Sequence, residues 1–322
     1  MSTVKNYLSL IRFSHTIFAM PFAMIGFALG AYPIVERMRW EKAANFKEGW
    51  HSFIIPNDVL DPSQAPITGW QIAERLGLVI LCMIFARSAA MAFNRWLDVK
   101  WDAMNPRTAI REIPRGIISK NSALRFVIAS SLAFIVCTWF INPLCFALSF
   151  VALAVVLGYS YTKRFTPLCH LVLGLGLSLA PIGAYLAVAG HFALLPILFS
   201  LAVIFWVSGF DIIYALQDEE FDKSQQLYSM PSWLGKANAL HVSEFLHVLS
   251  IACVISAGLY GGFSWWYWGG VAVFIGMLVY QHAIVRPNDL SRVNLAFMTA
   301  NGIASVVFAV FVIADLYLNM HI

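Results

Sequence analysis

Apolar stretches long enough to cross a bilayer recur along this chain, and nothing else in the sequence limits its fold as strongly. The stretch 194–213 holds Asp211 as its one charged residue, and 143–160 holds none. A spanning helix needs about 20 mostly apolar residues, and in lipid only helices or closed barrels satisfy the backbone. Of 322 residues, 60% are hydrophobic and 12% charged, against about 25% charged in soluble domains. The mean hydropathy is +0.73. The pattern predicts an all-α, polytopic membrane protein forming a single domain over 1–322. Nine spans are read, at about 14–32, 71–93, 122–140, 143–160, 168–189, 194–213, 240–260, 265–284 and 294–316.

Charge placement orients these spans, because Lys and Arg favour cytoplasmic loops. With the N-terminus inside, that side receives Lys5, Arg12, the basic residues of 95–125, Lys163, Arg164, Lys223, Lys236, Arg286 and Arg292. Residues 1–16 do not read as a cleavable leader, so the first span is expected to stay in place. The sequence thus predicts a multi-pass protein of the cell inner membrane. On the outer side only 33–69 is a sizeable loop. It carries Pro33, Pro56, Pro62 and Pro66 and reads as irregular or partly helical. Trp265, Trp266, Tyr267 and Trp268 read as an interfacial aromatic belt. The five cysteines lie in apolar stretches without a CxxC pair and read as small buried hydrophobes. The lipid bilayer is an expected partner, and nucleic acid is not.

Two acidic clusters fall on the cytoplasmic side. Asn94, Asp98 and Asp102 are spaced i, i+4, i+8, which places them on one helical face. Two carboxylates and an amide oxygen at that spacing can share one hard cation such as Mg²⁺. Asp211, Tyr214, Asp218 and Asp222, at i, i+3, i+7 and i+11, again share a face. Asp211 stands near a span end, where an acid is costly and suggests function. One acidic run at a membrane boundary also reads as a solvated helix end. Two on one side repel unless cations bridge them, and a diphosphate carried by metal meets that need. Arg107, Lys163 and Arg164 lie on the same side, as phosphate contacts or as topology signal alone. Arg87 lies two turns deeper than Asn94. It either snorkels or holds a second anion, for which a carboxylate suits its fork. His170, His191, His241, His247 and His282 are dispersed and read as packed or interfacial, as does His15. Gly174 and Gly176 read as close helix packing.

Asn94-x3-Asp98-x3-Asp102 and Asp211-x2-Tyr214-x2-Gln217-Asp218-x3-Asp222 resemble the two signature motifs of the UbiA-type intramembrane prenyltransferases. The 161–166 loop and Arg107-Thr108 are similar to that family too. The resemblance is greatest to the 4-hydroxybenzoate polyprenyltransferase branch and extends to the futalosine-route menaquinone enzymes. It implies nine helices around a central cavity, with Mg²⁺ on Asn94, Asp98, Asp102, Asp218 and Asp222. The substrates implied are a polyprenyl diphosphate, gripped by Lys163, Arg164 and Arg107, and an aromatic carboxylic acid held by Arg87. Asp211 is implied as proton acceptor or cation stabiliser, with Tyr214 beside it. The 33–69 loop is longer than the family pattern. A cation-coupled transporter is the alternative of another class.

Overall fold

A computed structural model describes residues 3–11, 18–46 and 68–318. Arg12, His15, the first residues of the span read at 14–32 and residues 47–67 of the outer loop lie outside the described residues. Among the described residues the chain is helical and no strand forms. A short α1 (Thr3–Leu10) precedes α2 (Met20–Phe46), α3 (Gly69–Leu97) and the short α4 (Val99–Met104). Then follow α5 (Lys120–Ile141), α6 (Pro143–Thr162), α7 (Cys169–Ala189), α8 (Leu194–Ala215) and the short α9 (Glu219–Ser224). The last three are α10 (Met230–Tyr260), α11 (Trp265–Ile284) and α12 (Val293–Leu318). Eight described helices are long and apolar enough to cross a membrane, and Met20–Val35 adds a shorter apolar one.

The outer loop read as irregular or partly helical is helical in its first part, where α2 runs through Pro33 to Phe46. Proline forfeits one helical hydrogen bond, and a span tolerates this where neighbouring helices support it. The aromatic belt is corrected. Trp265 is exposed, but Tyr267 is fully buried and donates its hydroxyl to the Val254 carbonyl at 2.6 Å.

Local chemistry sets the helix ends. Thr68 and Gln71 form a capping box at α3, and Ser229 with Ser232 forms another at α10. Asn142 caps α6, with Pro143 in its first turn. Gly190, at φ 72°, closes α7 in the left-handed region. At α11 the cap comes from another helix. The backbone N–H groups of Ser264 and Tyr267 donate to Asp315 of α12, at 2.8 and 3.3 Å.

Small residues bring the helices together. Gly26 and Gly30 of α2 lie over α7, and a Cβ at Gly26 would overlap the Pro181 carbonyl. This is the small-xxx-small spacing of membrane helix pairs. Gly174 of α7 faces the Ile204 carbonyl and Ser208 Oγ of α8, each 2.5 Å from where its Cβ would stand, so it serves packing as read from the sequence. A π-turn at Ala296–Ala300 interrupts α12. Asn301 repairs it, donating Nδ2 to the carbonyls of Phe297 at 3.0 Å and Ala296 at 3.3 Å. Its Oδ1 accepts from Trp206 of α8 and Gln281 of α11. The π-turn carries Phe297 against Tyr214, with ring centroids 4.3 Å apart. The aromatic core around Phe22, Phe199, Trp206, Phe274 and Phe308 fills one side of the bundle. On the other side α3, α5, α6, α7 and α8 surround a cavity of about 600 Å³.

Candidate active site

The two acidic clusters face each other across one end of this cavity. Every residue singled out for chemistry from the sequence lines it: Arg87, Asn94, Asp98, Asp102, Arg107, Lys163, Arg164, Asp211, Tyr214, Asp218 and Asp222. Neither cluster lies on one unbroken helix, however. At the first, α3 ends at Leu97 and α4 begins at Val99, with Asp98 at φ −92° and ψ 10° between them. The bonds Asp98 N–H to Asn94 O (2.9 Å) and Asp102 N–H to Asp98 O (2.8 Å) bridge the junction. The i, i+4, i+8 alignment therefore survives the helix break. At the second, α8 gives way to a 3₁₀ turn at Leu216–Asp218 and then to α9. The tighter turn swings Asp218 and Asp222 onto the wall that carries Asp211.

Each of four carboxylates is met by a basic side chain from elsewhere in the fold. Arg107 grips Asp218 with two hydrogen bonds, Nε to Oδ1 at 3.0 Å and Nη2 to Oδ2, while its Nη1 donates to the Tyr214 hydroxyl at 2.9 Å. Asn105 donates to Asp218 as well, at 3.1 Å. Arg111 bonds Asp102 at 2.6 Å, Lys163 pairs with Asp222 at 2.7 Å, and Arg164 reaches Asp98 at 3.3 Å. Ser229 donates to Asp222 at 2.9 Å. Two faces flank the Arg164 guanidinium, the rings of Trp101 at 4.5 Å and Tyr161 at 5.2 Å. The repulsion expected between the clusters is thus relieved by the protein's own cations.

The electrostatics follow from this burial. Burial, and then the neighbouring Asp102, push the Asp98 carboxyl up to about 6, against the pull of Arg164. For Lys163 burial pulls the other way, but the Asp222 carboxylate outweighs it and leaves the ammonium above its ordinary value.

These residues suit a hard divalent cation. The donor set is oxygen only, as Mg²⁺ prefers. Asp102 Oδ2 is buried without a hydrogen-bond partner, which is costly unless a cation or donor meets it. Asn94 donates Nδ2 to Asp98 Oδ2 at 3.0 Å, so its Oδ1 is the atom left for a ligand. Among the described residues no three His, Cys, Asp or Glu side chains already converge into a ready-made cage.

Deeper in the cavity Arg87 faces inward from α3, its Nε buried without a partner. Beyond it the wall turns apolar, with Val79, Met83, Phe134, Leu148 and Val156. Sequence reasoning missed three members of the site. Asn105 and Arg111 lay within the basic segment after the first cluster but were passed over as individual residues. His170, read as one dispersed histidine among several, stands 2.7 Å from Asp211. Its place at the start of a span, on the side that carries both clusters, was the available signal.

Comparisons with known proteins agree with this fold. The model of the UbiA prenyltransferase family matches residues 65–303. A 4-hydroxybenzoate octaprenyltransferase of Nitrosomonas europaea is 30% identical over 234 residues, covering 73% of this chain and 80% of its own length. The apo structure of a UbiA homolog from Aeropyrum pernix K1 superposes with a TM-score of 0.71 at 26% identity, covering 95% of this chain and 98% of its own. A UbiA homolog from Archaeoglobus fulgidus, bound to GPP and Mg²⁺, shares the fold with a TM-score of 0.65 at 18% identity, covering 97% and 99%.

Proposed function

The chain belongs to the UbiA prenyltransferase family, and on that premise we propose that it transfers a polyprenyl group from polyprenyl diphosphate to the ring of 4-hydroxybenzoate in respiratory quinone biosynthesis, with Mg²⁺ as cofactor. One observation carries the reading. A single cavity joins a carboxylate-and-cation end, an inward-facing arginine and an apolar arm. That sequence of surfaces suits a diphosphate, an aromatic acid and an isoprenoid tail in turn. The name of the Nitrosomonas relative supports 4-hydroxybenzoate over a dihydroxynaphthoate as acceptor.

Asn94, Asp98, Asp102, Asp218 and Asp222 would hold Mg²⁺, which supplies charge compensation for the diphosphate oxygens when bound. Arg107, Lys163 and Arg164 would turn from the carboxylates to the diphosphate and stabilise the negative charge of the departing group. Ionisation of the allylic C–O bond leaves a carbocation in the apolar part of the cavity, shielded from water. Arg87 would hold the acceptor carboxylate through its bidentate fork and so fix which ring carbon faces the cation. Asp211, with Tyr214 beside it, would take the acceptor's phenolic proton as that carbon forms the new C–C bond. The ring carbon would then lose its proton to the departed diphosphate, and Asp211 would return its proton to the acceptor oxygen, restoring the phenol. The placement of Lys and Arg supports a bacterial inner-membrane protein with its N-terminus and site on the cytoplasmic side.

The test is turnover by the purified protein with Mg²⁺, a labelled polyprenyl diphosphate and a panel of aromatic acids. Prenylation of 4-hydroxybenzoate is expected. Turnover of dihydroxynaphthoate alone would move the protein to the menaquinone reaction, and ion flux without prenyl transfer would restore the transporter alternative.

A further inference from the structure

His170 is the second residue of α7, and only 3% of its surface is exposed. Its two ring nitrogens have different partners. Nδ1 lies 2.7 Å from Asp211 Oδ2, and the backbone N–H of Met230 donates to Nε2 at 3.3 Å. A backbone N–H can only donate, so Nε2 must present a lone pair. The proton is then on Nδ1, and Nδ1–H donates to Asp211. The tautomer is set by the main chain at the start of α10, not by the cavity.

The surroundings hold this ring still. Ser208 of α8 donates to the His170 carbonyl at 3.1 Å. Gly174, one turn further along α7, lets α7 and α8 approach closely. Met230 follows Ser229, which donates to Asp222. The Tyr228 N–H donates to the Lys163 carbonyl at 2.7 Å. The segment that orients His170 is therefore anchored to two charged members of the site.

We propose that His170 is a positioning residue for prenyl transfer: it ties down one Asp211 oxygen, Oδ2, and so aims the other, Oδ1, at the acceptor. The inference rests on the reading of Asp211 as the group that acts on the acceptor. A purely structural His170 would serve only to accept the Met230 N–H and pack α7 against α10.

Two amide substitutions separate these roles. His170→Asn places an N–H near the position of Nδ1 and keeps the donor to Asp211, while losing the acceptor for Met230. His170→Gln reaches the position of Nε2 and keeps that acceptor, while losing the donor to Asp211. With Mg²⁺, a polyprenyl diphosphate and 4-hydroxybenzoate, kcat should fall about 10- to 100-fold in His170→Ala and His170→Gln. His170→Asn should stay within about fivefold of the parent. KM for the diphosphate should hold in all three. A His170→Gln variant that works like the parent beside an impaired His170→Asn would overturn the inference, as would a parental kcat in His170→Ala. Asp211→Asn separates the two readings. A parental kcat there overturns the reading of Asp211 and the inference with it. An impaired Asp211→Asn beside an unimpaired His170→Ala overturns the inference alone. Thermal unfolding of each detergent-purified variant shows that the bundle is intact, and the Asn and Gln pair carries the test if His170→Ala fails to fold.

Discussion

Asp98 and Asp218 stand in opposing clusters, and each answers to a different arginine. Asp98→Asn and Asp218→Asn keep the shapes of these side chains while removing a negative charge. Each should reduce prenyl transfer to background with thermal unfolding little changed, and substantial turnover in either would end its assignment as a metal ligand. Arg87→Ala should raise the acceptor KM by about 10- to 100-fold, the value of a charge-assisted hydrogen bond to a carboxylate. Its diphosphate KM should hold, and an unchanged acceptor KM would return Arg87 to snorkelling. Asp98 also predicts a pH dependence. A carboxyl titrating near 6 is neutral below that pH and charged above it, so protons compete with a cation. Calorimetric titration of the diphosphate-free protein should show Mg²⁺ binding weakening as pH falls from 7.5 through about 6. The residues of this site were legible because acids and amides recur at helical spacing. The partners of those residues were not. Arg111 and Asp102 are close in sequence, but Lys163 at the end of α6 and Asp222 in α9 meet only in the folded chain. His170 faces Asp211 for the same reason, and periodicity within one helix says nothing about contacts between two.

The helices themselves were readable from hydropathy, with boundaries close to those observed for most spans. Interruptions were less so. The break at Asp98, the 3₁₀ turn at Leu216–Asp218 and the π-turn at Ala296–Ala300 leave no mark in an apolar pattern, because a change of one hydrogen-bond register costs little sequence signal. The π-turn depends on Asn301, whose side chain serves four partners on three helices. Asn301→Leu is a near match in volume but leaves those groups unpaired in a buried setting. It should destabilise the bundle by about 1–3 kcal/mol, seen as a lower Tm of the detergent-purified protein. Because the π-turn carries Phe297 against Tyr214, turnover should fall as well. An unchanged Tm would show that the turn is held by packing alone. Asp315 lies within the span read at 294–316, and hydropathy does not show what it does there. It caps α11 from α12 and so belongs to the architecture, not to the cavity.

At the scale of the whole molecule, one side of the bundle is filled with aromatic rings and the other encloses the cavity. The filled side gives α8 a rigid backing, and α8 is the helix that carries Asp211 and Tyr214. The pairing of four carboxylates with protein cations bears on how ligands can enter. A membrane-embedded pocket changes its net charge only at high electrostatic cost, since little water is present to screen the difference. Divalent ions arriving alone would leave the site overly positive, and a bare diphosphate would leave it overly negative. A complex in which the two nearly balance disturbs that neutrality least. The site thus favours a salt over either ion alone, and each component should raise the affinity for the other.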